Sequence, residues 1–242
     1  MEPEINYYLN TLAKKLQTRT VVSRSVSYIA CWPLAVGQCS YISDYRKQEI
    51  IYQNGVAELL GYNMEQFTME KFFALLHPSD KTLLLRLTKV VLNAVSESNV
   101  YNGMGYHVTY RIKHADGHYL HVLQQGSAFD VDSAGRMISM LYMLTDISFM
   151  EQSEKVQWKF TIQGMDQKKF RKQIVKENTS LFSNRELEII RYLKNGNTSA
   201  DIAARLFISK HTVDGHRRKM LEKSNCKNTI DLINFCESNR II

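Results

Sequence analysis

The sequence predicts an α+β fold, an antiparallel sheet with helices on one face, followed by an all-α domain. Three observations carry this. An amphipathic stripe, Leu83, Leu84, Leu87, Val90, Val91 and Ala94, gives way to three stretches of strand-like alternation at 106–113, 119–129 and 137–147. From Ser183 onward the apolar period is helical. The charge divides too: residues 1–150 carry 13 Lys and Arg against 13 Asp and Glu, whereas residues 151–242 carry 18 against 11. The whole formal excess of +7 therefore belongs to the C-terminal part, which predicts a polyanionic partner for it.

The elements follow in order. Ile5, Tyr8, Leu9, Leu12 and Leu16 recur at helical spacing over 5–17, fitting either a helix packed on its own domain or one that pairs protomers. Residues 18–37 read as a connection around Pro33 and Gly37. The stretches 39–45 and 49–53 are rich in β-branched and aromatic residues and read as short strands broken at Asn54-Gly55. A short helix from Val56 stops at Gly61, and another runs from Glu70 to Leu76. Ser79 is expected to cap the long helix, with Asp80 in its first turn favoured by the macrodipole. Asp116-Gly117 is a strong hairpin signal between the first two long strands. The stretch 149–180 reads as a connector with a strand-like piece, Val156–Ile162, and a basic helix, Asp166–Glu177. The last domain opens with a capping box, Ser183 to Glu186, and a second is expected from Thr198 to Asp201. Gly196 ends the first of its helices, and a final helix spans 228–238 with Ile230, Ile233 and Phe235.

Composition narrows the function classes. No run of eighteen uncharged apolar residues occurs, and the N-terminus lacks an apolar signal core, so no membrane segment is expected. Four cysteines without CxxC spacing fit reduced thiols and a cytoplasmic setting. No Ser-His-Asp set, P-loop or GxGxxG stretch is evident, so no enzyme is expected. His114, His118 and His121 flank the Asp116 turn, but a metal needs converging ligands and His121 lies three residues further along the strand. Solvated hairpin residues are expected there, with no metal and no cofactor.

The stretch 197–223 carries the sharpest signal. A helical pattern over 199–206 and a second from Lys210 to Lys223 are joined by Phe207-Ile208-Ser209. On a wheel centred on Val213, Met220, Arg217 and His216 share one face, while His211, Asp214, Gly215, Arg218 and Glu222 share the other. A short helix, a tight turn and a second basic helix suit a helix-turn-helix. The matching residues are Ser183, Arg185-Glu186, Leu187, Ile190, Gly196, Ile202-Ala203, Leu206, Ile208-Ser209, Thr212-Val213, His216, Met220 and Lys223. On these the segment 181–242 resembles the LuxR/FixJ-type helix-turn-helix family. The resemblance implies duplex DNA as partner. Amides behind Ser209 suit a phosphate, Lys210 and Thr212 lie in the same first turn, Arg217, Arg218, Lys219 and Lys223 supply cations, and His211, Asp214, Gly215 and Arg218 face the groove. Three positions depart from the family: Asp214 replaces a usual lysine, Ser224 a leucine and Thr229 an arginine. His216 matches a position that is structural in the family.

The preceding part resembles the PAS fold. The carrying residues are Ile51-Tyr52-Gln53-Asn54, Leu59-Leu60-Gly61-Tyr62, Leu76-His77-Pro78-Ser79-Asp80, Tyr110-Arg111-Ile112, Asp116-Gly117-His118-Tyr119 and Thr145-Asp146-Ile147. The GxNCRFLQ stretch of flavin-photosensory members is missing. The expected organisation is a helical segment (1–37), a PAS-like domain (38–148), a connector (149–180) and a helix-turn-helix domain (181–242). This reads as a transcriptional regulator acting as a homodimer, with a PAS-like domain that senses a small molecule or pairs protomers. The other reading is a PAS interaction module whose basic domain docks on a protein. Steep salt dependence of duplex binding separates the two.

Overall fold

In the computed structural model the structure describes residues 3–63, 65–100, 103–150, 156–163, 166, 170, 181–224, 226–238 and 241–242. It divides into two compact units, 1–167 and 168–242. The basic helix expected over 166–177 falls almost wholly outside the described residues. Among those described, no helix is long and apolar enough to cross a membrane.

The first unit is a six-stranded antiparallel sheet with helices. It opens with α1 (Pro3–Gln17), whose stripe Ile5, Leu9, Leu12 and Leu16 is buried together with Ala13. The stripe packs the helix on its own unit: Tyr8 donates to Asn93 Oδ1 at 2.9 Å, and Lys15 pairs with Glu97. Residues 18–37 form more than a plain connection. They hold β1 (Val21–Val22), which pairs with β6 (Val131–Asp132), and α2 (Ser27–Ala30).

The sheet holds β2 (Gln38–Asp44), β3 (Glu49–Asn54), β4 (Met104–Lys113), β5 (Tyr119–Ala128), β7 (Ser139–Asp146) and β8 (Trp158–Ile162), in the order β3-β2-β7-β5-β4-β8. The β4–β5 register runs from Tyr106↔Gly126 to Lys113↔Tyr119, set by the turn at Asp116-Gly117, where Gly117 takes φ +105°. The strand-like piece in the expected connector is β8, paired with β4 from Val108↔Trp158 to Met104↔Ile162. Alternation alone shows that it is a strand, but the neighbour it pairs with is fifty residues away and leaves no local mark.

Between β3 and β4 lie α3 (Val56–Leu60), α4 (Met69–Leu75) and α5 (Pro78–Glu97). Gly61 closes α3 in the left-handed region, which a side chain would resist. The long helix begins one residue earlier than its expected Ser79 cap. His77 is the cap, its Nδ1 accepting the Ser79 N–H at 3.2 Å, and Pro78 takes the first helical position where its missing N–H costs nothing. Asp80 is also more than a macrodipole partner. Buried at 3% exposure, it accepts from the Arg111 guanidinium at 2.6 and 2.9 Å and from the Arg111 N–H at 2.9 Å. Burying a carboxylate demands such partners, and this one fastens α5 to β4.

Burial holds the imidazoles of His77 and His121 below their ordinary value of 6.5, with Arg111 adding to the effect at both. The unfolded chain therefore binds more protons than the folded one just below pH 6.5. Stability is fully present above that value and falls as pH drops toward the lower folded values. Urea midpoints of the full chain, measured at pH 7.5 and 5.5, are expected to be lower at pH 5.5.

Candidate functional site

The second unit is built from α6 (Asn184–Lys194), α7 (Ser199–Leu206), α8 (Lys210–Ser224) and α9 (Thr229–Ser238). Both capping boxes form. Ser183 Oγ accepts the Glu186 N–H at 3.3 Å while Glu186 Oε2 accepts the Ser183 N–H at 2.7 Å. Thr198 and Asp201 repeat the exchange at 3.3 and 2.9 Å. The two boxes satisfy the free donors at the starts of α6 and α7. Gly196, at φ +79°, ends α6 as expected. The core joins Leu187, Ile189, Ile190 and Leu193 of α6 to Ile202, Ala203 and Leu206 of α7 and to Val213 and Met220 of α8. In α9 the buried residues are Leu232, Phe235 and Cys236, and Ile230 is 70% exposed.

The turn between α7 and α8 is tight. Phe207 adopts φ +54°, a region that costs a side chain energy, and is 95% exposed. Arg185 Nη2 donates to the Leu206 carbonyl at 2.8 Å, closing the end of α7. Ser209 Oγ then accepts the Thr212 N–H at 3.0 Å and starts α8.

The core holds α8 at Val213, Met220 and Ser224, which are its buried residues. The rest is an outward face. Ser209, Lys210, His211, Thr212, Asp214, Arg218 and Lys219 are exposed, and Gly215 is half-buried with open space where a Cβ would stand. Among the described residues, Lys210, Arg218 and Lys219 have no ion-pair or hydrogen-bond partner for their charged ends. This face can offer three cations and the free amides of a helix N-terminus to a polyanion.

Two cations named with them are placed differently. Arg217 is half-buried; Nη1 donates to Ser199 Oγ and Nη2 to Thr229 Oγ1, both at 2.7 Å. It ties the starts of α7 and α9 to the middle of α8. Lys223 Nζ reaches both carboxylate oxygens of Glu186, at 2.9 and 2.7 Å. Burial alone would raise the Glu186 carboxyl; the Lys223 ammonium and the Ser183 donors outweigh it and hold it below its ordinary value of 4.5. None of these three partners is legible in the sequence, because each lies on another helix. Two of the family departures gain a role here. Thr229 accepts from Arg217, and the buried Ser224 returns its hydroxyl to the Met220 carbonyl at 2.7 Å.

In the first unit a partly open chamber of about 30 Å³ lies under the sheet, room enough for ordered water. Tyr41, Tyr45, Tyr106, Tyr142 and Gln124 line it. Tyr45 and Tyr142 share a hydrogen bond of 2.7 Å, and Gln124 bridges the Tyr110 hydroxyl (2.7 Å) and the Tyr41 hydroxyl (3.2 Å). Burial raises the pKa of all four lining phenols, so they stay neutral.

Residues 180–236 match the family model of bacterial regulatory proteins, luxR family, and residues 49–143 match that of the PAS fold. The DNA-binding transcriptional activator EvgA of Escherichia coli (strain K12) is 37% identical over 59 residues, 24% of this chain and 29% of that protein. The Fimbriae Z protein of Salmonella typhimurium is 32% identical over 60 residues, 25% of this chain and 29% of that protein. The chain thus covers 29% of the length of these two relatives. Among solved structures, a Vibrio cholera VqmA-ligand-DNA complex aligns over 90% of this chain and 88% of its own, at 18% identity and a TM-score of 0.32. The chain joins a PAS-fold domain to a C-terminal domain of the luxR family of bacterial regulatory proteins.

Proposed function

We propose that the chain is a transcriptional regulator that binds duplex DNA through the outward face of α8, under the control of its PAS-fold domain. The observation that carries this is the sorting of charge on one helix. Arg217 and Lys223 are held by partners within the domain, while Lys210, Arg218 and Lys219 are exposed. A helix inserted in the major groove needs both sets: struts that fix its angle and free cations that meet phosphates and base edges.

Each proposed contact has a role. The amides behind Ser209 and the Lys210 ammonium meet the phosphate backbone, with the Thr212 hydroxyl beside them. Arg218 is suited to guanine O6 and N7, Lys219 to a phosphate, and Asp214 to a cytosine amine. His211 and Gly215 complete the face. Arg217 and Lys223 act by positioning α8. A homodimer doubles the short half-site that one module reads. A small-molecule ligand of the PAS-fold domain would have to widen the tyrosine-lined chamber. Binding selection on random duplexes with the full chain tests the reading, because an enriched motif with a fixed half-site spacing is expected and an unenriched pool contradicts it.

Gly215 supplies a sharper prediction. Nothing within 4 Å would obstruct a Cβ, so packing inside the domain does not require glycine. Gly215→Ala is expected to raise the stability of the C-terminal domain by about 1 kcal/mol and to weaken duplex binding. Thermal unfolding and a binding isotherm on the same variant check both halves.

A further inference from the structure

The histidines of the β4–β5 turn divide as their spacing implies. His121 is buried on β5 and stands apart. His114, Asp116 and His118 instead converge, with one ligand atom from each lying within 4.8 Å of the others. Asp116 Oδ1 sits 3.0 Å from His114 Nδ1 and 2.5 Å from His118 Nδ1. The two rings stack with centroids 4.7 Å apart and planes inclined by 26°.

The backbone holds this group in place. The His114 N–H donates to the His118 carbonyl at 2.9 Å, the Gly117 N–H to the His114 carbonyl at 3.0 Å, and the Ala115 N–H to the Leu60 carbonyl at 2.9 Å. His114 lies against the end of α3: a Cβ on Gly61 would come within 3.1 Å of its Cε1 and Nε2. The Nε2 edge is thus covered by the chain, and Nδ1 is the nitrogen turned to Asp116.

We propose that this turn is a binding site for a borderline divalent transition-metal ion such as Zn²⁺, with Nδ1 of His114, a carboxylate oxygen of Asp116 and Nδ1 of His118 as its protein ligands. Two imidazoles and one carboxylate form a donor set that suits such an ion and leaves a fourth position for water. Bonds of about 2.0–2.2 Å in a tetrahedron place ligand atoms about 3.3 Å apart, so the two separations from Asp116, now 2.5 and 3.0 Å, have to widen toward that value. Coordination uses the Nδ1 lone pair of each ring. Any proton on Nδ1 moves to Nε2 or leaves to solvent, and the N–H···Nδ1 contact from Asp116 to His114 at 3.2 Å gives way. All three ligands belong to the hairpin, so the ion would bind without using the tyrosine-lined chamber.

The test is a Zn²⁺ titration of the full-length chain, stripped with chelator, followed by calorimetry and by the side-chain ¹⁵N resonances of histidine. One equivalent is expected to shift the Nδ1 resonances of His114 and His118 together, and an equal concentration of Mg²⁺ to leave them in place. His118→Gln is expected to weaken this binding by more than about tenfold, since loss of even an outer partner of a metal ligand acts on that scale. Amide spectra of the sheet check that the variant is folded. The proposal is overturned if Zn²⁺ binds while both Nδ1 resonances stay still, as it would at the cysteines. It is also overturned if the folded variant keeps wild-type affinity. The wild-type spectra decide the matter by themselves should the variant not fold.

Discussion

Arg218→Ala is expected to weaken specific duplex binding by about 1–3 kcal/mol, roughly five- to 150-fold, while leaving the fold intact. The side chain is exposed and touches no partner among the described residues, so its removal uncovers nothing. Arg217→Ala is the contrasting substitution one position away. It removes two charge-assisted hydrogen bonds of 2.7 Å and frees the starts of α7 and α9, at a cost of about 1.5–3 kcal/mol in stability. Chemical denaturation paired with binding isotherms separates the two. A loss of stability in Arg218→Ala equal to that in Arg217→Ala would mean that the charges on α8 are not divided as proposed.

Asp80→Ala is expected to have the largest effect on the sensor unit. It leaves the Arg111 guanidinium beside a void and deletes an acceptor for the Arg111 N–H. Breaking a buried ion pair costs about 3–5 kcal/mol. The Arg111 side chain keeps 30% exposure, which places the expected loss near the lower figure. Against a domain stability of about 5–15 kcal/mol, that is a shift easily read in a urea midpoint. A midpoint unchanged from wild type would show that α5 and β4 are held together by their apolar contacts alone.

The features legible in the sequence are those satisfied within a few residues. Ser183 finds Glu186 three positions away, Thr198 finds Asp201 at the same spacing, and Gly61, Gly117 and Gly196 mark places where the backbone needs positive φ. Period gave the outward face of α8 correctly, because a helical wheel depends on rotation alone and Val213 and Met220 anchor it. The partners of Asp80, Arg217 and Lys223 were not legible. A carboxylate or guanidinium carries no address, and each of these meets its partner on another element. The same holds for β8, whose alternation was visible and whose neighbour was not. Ile230 shows that apolar character alone does not fix burial: it is exposed while the core fills from Leu232, Phe235 and Cys236. At the candidate site, the residue types were readable early, while their division into struts and free cations required the packed domain.

The most direct test of the account is the salt dependence of duplex binding by the full-length chain, measured on a selected site and on a scrambled one. The two phosphate-facing cations, Lys210 and Lys219, on each of two protomers give a slope of log affinity against log salt of about −3.6. Lys219→Ala should reduce it by about one for each protomer bound. Affinity that falls this steeply and favours the selected site is the predicted result. A slope near zero with no preference between the duplexes would contradict the central claim that the outward face of α8 reads DNA.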